Sequence, residues 1–341
     1  MAAWDLGLLV LEDSIPVSTE IARSAERAGF SSVWGTEFHN RNGLVRLAAL
    51  AAATDRIAIA SGITFAFGRT PPLTASGAAD LDELSNGRFL LGLGTGTKRM
   101  NEDWYGIPFS HPAPRLTELV RLLRALWAHE RGRFSFEGRF YRIVIDRYSR
   151  PGMVRRDIPV FTAGVNPRMV RVAGEVADGV VGHPIFTTRY LREVARPALE
   201  EGARRAGRDP SAVKIASEII TVISDDPEQA RQEARLQVAF YSTVRTYDII
   251  LDLHGFQEEK ERIRDAFRRN DPQAMAAAVS DRMLAEMAVC GTAGQVIEQM
   301  ERYRGLVDIP ILYTPTFGVP VARVRENHRL LIETFAPERA R

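Results

Sequence analysis

The chain has 341 residues, is 45% hydrophobic and 26% charged, and carries a formal net charge of +2. This is globular composition with length for a large core, and a near-neutral balance gives no reason to expect a nucleic-acid partner. One cysteine, Cys290, excludes an internal disulfide and a cysteine-based zinc cage.

The N-terminus, MAAWDLGLLVLED, has no basic leader, and no window is long and apolar enough to span a bilayer, so a cytoplasmic protein without membrane contact is expected. WDLGLLVL (4–11) reads as a strand and 17–30 as a helix stopped by Gly29. SSVWGTE (31–37) reads as a strand and 43–54 as a helix; 56–67 reads as one continuous strand and 72–85 as a helix. RFLLGLGTG (88–96) is the fourth strand, and 113–130, with prolines at its start, the fourth helix. GRFSFEGRFYRI then predicts a small hairpin insertion over about 132–150.

The rhythm resumes with IPVFTAGV (158–165), a helix over 167–177, the short strand DGVVGHP and a helix over 189–207. VKIASEIITVIS (213–224) is the seventh strand and 226–243 the seventh helix. A helical insertion follows over about 244–288, then a helix from 293, the strand IPILYTP (309–315) and a closing helix over 322–336. Continuous apolar strands between helices indicate a parallel sheet buried on both faces. Eight such units are the count of a closed (β/α)8 TIM barrel, here one domain over 1–341; the alternative is an open doubly wound sheet with a helical domain.

GRFLLGLGTGTKRMNE (87–102) resembles a phosphate loop only superficially. Its glycines, Gly92, Gly94 and Gly96, form G-x-G-x-G, the next required position is Thr97, and no helix opens directly after them. Period-two glycines on one face of a strand admit a close backbone or a flat ligand. At the strand's C-terminal end, Thr95 and Gly96 are candidates for the floor of a planar-ring site, the alternative being plain core packing.

The stretches AERAGFSSVWGTEFH, ATDRIAIASGITFAFGRTPPLTA, LDELSNGRFLLGLGTG, IPVFTAGVNPRMVRVAGEVADGVVGHPIFTTRYL and CGTAGQVIEQM together resemble the bacterial luciferase-like family, and within it the branch of oxidoreductases that use the deazaflavin coenzyme F420. The resemblance implies a (β/α)8 barrel with a lid inserted before the last strand. It implies a bulge with a non-prolyl cis peptide at Gly62–Ile63, followed by Thr64, behind the cofactor ring. Glu37 matches an acid that contacts the ring or its polyol, the alternative being a pair with Arg41 or Arg69. Where some relatives place a histidine after that acid, this chain has Phe38, and His39 comes one position later. Ala163, Gly164 and Val165 match backbone contacts to ring and polyol, and Asn101 a polar contact to the tail. The tail is acidic, and Arg168, Arg171 or Lys98 are candidates to meet it. His183 is placed on the same barrel face, so Glu37, His39 and His183 are the candidate catalytic groups.

The reading is therefore hydride transfer between the deazaflavin C5 and a small organic substrate, in a homodimer or higher homo-oligomer. The alternatives are an FMN-dependent monooxygenase fed by a separate reductase, and a non-catalytic flavin-binding protein. A Schiff-base aldolase is disfavoured because Lys214 begins its strand. No metal is expected, since the six histidines form no H-x-x-x-H pair.

Overall fold

The computed structural model describes residues 4–11 and 14–336. The expectations for the chain's first three and last five residues, and for 12–13, lie outside them. The strands are β1 (Gly7–Val10), β2 (Ser32–Gly35), β3 (Ala58–Ser61), β4 (Thr64–Phe65), β5 (Phe89–Gly94), β6 (Arg131–Glu137), β7 (Arg142–Ser149), β8 (Val160–Ala163), β9 (Gly179–Gly182), β10 (Lys214–Ile223), β11 (Ala288–Gly291) and β12 (Ile309–Tyr313). Contacts divide the chain into two units: Val33–Val181 with Ala198–Lys214, and Met1–Ser32 with Gly182–Pro197 and Ile215–Arg341.

In the Val33–Val181 unit the strands neighbour one another in the order β2, β3, β5, β8, β9, and β4 adds to β5. The β3–β5, β5–β8 and β8–β9 pairs are parallel. In the other unit the order is β11, β10, β12, β1, again parallel. A doubly wound sheet would reverse its strand order at a switch point. With β11 set apart, neither unit does, and the chain has the strand order of a (β/α)8 barrel.

Two elements differ from the sequence reading. The strand expected over 56–67 is broken: β3 ends at Ser61, β4 begins at Thr64, and the Gly62–Ile63 peptide is cis, as the resemblance implied. Ser61 Oγ donates to the Gly92 carbonyl at 2.8 Å and accepts from the Gly92 amide at 2.7 Å. A Cβ on Gly92 would lie 1.8 Å from the Ser61 carbonyl oxygen, and one on Gly94 2.7 Å from Ile63 Cγ1. The alternating glycines thus admit the neighbouring bulge, a close approach of backbone. The second difference is β11, four residues that follow the helical insertion. Ten-residue β10 pairs with β12 through Ala216–Ile220 and with β11 through Ile220–Ile223, so β11 extends the sheet beside the eight barrel strands.

Packing follows from side-chain size and donor count. Trp34 and Phe161 are buried and meet edge to face at 6.4 Å. Arg88, just before β5, donates to the carbonyls of Ala51, Thr54, Ile57 and Ser85 and to Thr54 Oγ1. One side chain thus gathers five backbone and side-chain acceptors around the ends of two helices and the start of β3. The hairpin β6–β7 is antiparallel, with an irregularity between Gly132 and Phe134, and Phe134 is its buried anchor. Residues 244–288 contain helices Asp248–Leu253, Gln257–Arg268, Pro272–Ala277 and Asp281–Met287. Asp271 and Ser280 cap the last two by accepting from the Ala274 and Met283 amides. Among the described residues, no helix is long and apolar enough to cross a membrane.

Candidate functional site

Glu37 lies two residues beyond β2, where an isolated carboxylate would be costly to bury. Its side chain is 7% exposed, and every lone-pair direction is used. Oε1 accepts from the Gly43 amide at 3.3 Å and Oε2 from the Phe65 amide at 3.0 Å. Arg69 closes a two-pronged pair, Nη1 to Oε2 at 2.7 Å and Nη2 to Oε1. The hydrogen bond and charge of Glu37 raise the pKa of Arg69 above its ordinary value. The Glu37 amide itself donates to the Ile63 carbonyl at 3.1 Å. Arg69, one of the two partners considered from sequence, holds Glu37, and Glu37 ties the end of β2 to the bulge and to helix Gly43–Ala53.

Tyr105 packs on Phe65 with ring centroids 5.4 Å apart. Among the described residues its buried hydroxyl has no hydrogen-bond partner, and burial raises its pKa, with the Glu37 charge adding to the rise. Among the described residues the Thr64 and Thr162 hydroxyls are also buried without partners. Asn101 sits in a π-helical turn, Met100–Trp104, that the sequence reading left as loop. Its Nδ2 donates to the Thr95 and Thr97 carbonyls, both at 2.8 Å, so the amide nitrogen pins the turn after β5. Within that turn Gly96 has a φ of +65° and supplies a conformation that a side chain would resist.

Ile63, Gly96, Ala163, Gly164 and Val165 are half-buried at the C-terminal ends of neighbouring strands, and Thr95 is buried beside them. They form a ledge of small and apolar residues. Gly164 is required by its neighbour, because a Cβ there would lie 2.2 Å from Met169 Cβ. His39 is exposed, in a tight turn closed by paired Phe38–Arg41 backbone bonds. It joins Phe38 and Trp104 in a three-ring surface cluster with centroids 4.5–5.2 Å apart.

His183 belongs to the other unit and follows β9. Its ring meets Tyr247 at 4.1 Å and Tyr241 edge-on at 4.6 Å, and desolvation holds its pKa well below the ordinary value. The imidazole is neutral near pH 7. The Tyr241 hydroxyl donates to that of Tyr313 at 2.7 Å. Glu218, buried in β10 within the electrostatic reach of these tyrosines, has its carboxyl pushed up to about 8 by burial. Cys290 is buried in β11 with its thiol raised to about 11, the state of an inert filler.

The luciferase-like monooxygenase family model matches residues 9–308. The chain belongs to this family. It is 36% identical over 317 residues to an uncharacterized protein of Mycobacterium tuberculosis, across 88% of this chain and 92% of that one. It is 31% identical over 326 residues to the 5,10-methylenetetrahydromethanopterin reductase of Methanolobus tindarius, across 95% and 96%. Among solved structures it resembles the coenzyme F420 dependent tetrahydromethanopterin reductase of Methanopyrus kandleri, with a TM-score of 0.84 and 25% identity, across 98% of this chain and all of that one. The protein is thus a luciferase-like enzyme on a (β/α)8 barrel.

Sequence reasoning named Arg69 as one of two possible partners of Glu37 but missed the Tyr105 hydroxyl, and Glu218 with its tyrosines. Only Glu218 left a signal: it is the one charge in the run IASEIITVI (215–223). Among the described residues, no group of three or more histidine, cysteine or acidic side chains is placed to hold a metal ion.

Proposed function

We propose that this luciferase-like enzyme is an F420-dependent oxidoreductase that moves a hydride between the deazaflavin C5 and a small organic substrate. The observation that carries this reading is end-to-end similarity to reductases, one of which is described as coenzyme F420 dependent. The ledge fits a flat ring with polar edges. It offers the half-buried Ile63, Gly96 and Ala163–Val165, and the Tyr105 hydroxyl is a buried polar atom with no partner among the described residues.

When bound, a deazaflavin supplies two-electron hydride chemistry. The protein's own residues do the rest. Ile63 and its bulge back the ring, and Ala163–Val165 present backbone to its edge. Glu37 acts as a positioning residue, because its lone pairs are committed to Arg69 and two amides. Asn101 holds the Thr95–Thr97 turn in place. A neutral His183 supplies no imidazolium near pH 7. We assign the helical insertion 244–288 the role of a lid that excludes water.

The test is titration of the purified protein with F420 and with FMN, followed by fluorescence. Binding of F420 with much weaker binding of FMN supports the reading. Submicromolar FMN affinity with none for F420 would transfer it to an FMN-dependent monooxygenase.

A further inference from the structure

Glu218 is the one charge in its apolar stretch of β10, and among the described residues its carboxyl has no hydrogen bond and no ion pair. It is 8% exposed. A carboxyl taken out of water without a partner costs stability, and an aliphatic side chain at this position would close the sheet face without that cost. Packing alone therefore gives no reason for an acid here.

The register sets Glu218 beside Ile311 and Ile220 beside Tyr313, so Glu218 and Tyr313 share one face of the sheet. The Tyr313 hydroxyl accepts from that of Tyr241, on helix Pro227–Ser242, at 2.7 Å. Tyr241 and Tyr247 both pack on His183, which directly follows β9. Exposure is graded across the group. His183, Tyr241 and Tyr247 are half-buried, whereas Glu218 and Tyr313 are buried. The rings thus wall a recess that opens outward, with the unpartnered carboxyl at its floor. His183 follows the C-terminal end of β9 and Tyr313 ends β12, and a (β/α)8 barrel receives its ligands at those ends.

The titratable groups in reach of Glu218 are Tyr241, Tyr247 and Tyr313, with His183 packed on the first two. All are neutral near pH 7. Burial keeps the Glu218 carboxyl protonated up to about 8, raises the pKa of the three tyrosines and lowers that of His183 to about 3. An anionic group would meet no cation here, whereas a neutral acceptor would meet a carboxyl hydrogen.

We propose that Glu218 is a catalytic acid, and that its recess takes the carbonyl oxygen or imine nitrogen of a small neutral substrate. This rests on the hydride transfer proposed above. As the hydride of the reduced deazaflavin reaches the carbonyl or imine carbon, the double-bond electron pair moves to the heteroatom, which takes the Glu218 proton. The substrate gains two electrons and two hydrogens, the deazaflavin is oxidised, and the carboxylate left behind regains a proton from water.

Two measurements test the assignment. Diisopropylcarbodiimide adds to protonated carboxyls, the acid proton passing to a carbodiimide nitrogen and the carboxyl oxygen bonding to the central carbon. With the full-length protein at pH 7, peptide mass spectrometry should find Glu218 modified ahead of every other carboxyl, and less so as pH rises past about 8. Cyclohexanone should slow this modification at least threefold, and cyclohexanecarboxylate should not. In turnover of ketones or imines with reduced F420, Glu218→Gln should lower kcat at least a hundredfold with KM little changed. It should also abolish the fall in wild-type rate above about pH 8. Labelling and ketone protection in a protein that does not bind F420 would sink the proposed function and leave this site standing. An unlabelled Glu218, equal protection by the carboxylate, or a Glu218→Gln variant that keeps its kcat and that fall in rate overturns the assignment.

Discussion

Glu37→Gln separates a positioning carboxylate from a catalytic one. Each carboxylate oxygen accepts from one backbone amide and one nitrogen of Arg69. Whichever oxygen becomes NH2 then faces two donors, and Arg69, 18% exposed, loses its counter-ion. Breaking one side of a buried pair costs about 3–5 kcal/mol, because the remaining charge stays desolvated. Denaturant unfolding should show that loss for Glu37→Gln and a comparable one for Arg69→Gln. The double variant should lose less than the sum, with a coupling of about 2 kcal/mol or more. Cofactor affinity should fall with the stability, since the carboxylate fixes the Phe65 amide beside the bulge. A Glu37→Gln protein as stable as the wild type, with unchanged cofactor affinity and a large drop in kcat alone, would refute the argument and return Glu37 to catalysis.

Other expectations follow from single groups. Glu218, raised from 4.5 to about 8 by burial, remains protonated in the folded state while the unfolded chain ionises. Its cost is absent below pH 4.5, grows from there to pH 8, and is full above, at about 4–5 kcal/mol from 1.36 kcal/mol per pH unit. Glu218→Gln should match the wild type near pH 4 and exceed it by several kcal/mol near pH 9; parallel denaturation profiles would contradict this. Tyr105→Phe removes a buried hydroxyl without a partner and should raise apo-protein stability by about 1 kcal/mol while weakening cofactor binding in a fluorescence titration. Gly92→Ala would drive a methyl into the Ser61 carbonyl and should lose at least about 3 kcal/mol or fail to fold, as read by circular dichroism. The pH–rate profile should carry no limb near 6.5 from His183, so His183→Asn should leave the limbs between pH 5.5 and 8 where they are.

The barrel was legible because eight apolar strands alternating with amphipathic helices leave few topologies. The break at Gly62–Ile63 came from family resemblance; periodicity alone read 56–67 as one strand. What betrayed it physically was on the next strand, in Gly92 and Gly94, whose missing side chains make room for the bulge. The four-residue β11 was hidden because AVCG is too short for a periodic signal and follows a helical run. For Glu37 the sequence narrowed the partner to Arg41 or Arg69, and the tyrosines around His183 were not legible. Arg69 is 32 residues away in the chain and Tyr247 64 away, and long-range pairing leaves no local pattern.

The most direct test mixes the purified protein with reduced F420 and a panel of small oxidised substrates under anaerobic conditions, and follows the coenzyme's absorbance. The account predicts substrate-dependent oxidation of the deazaflavin with a deuterium isotope effect when C5 is labelled. Tight FMN binding with oxygen-dependent turnover, and no oxidation of reduced F420 with any substrate, would contradict it.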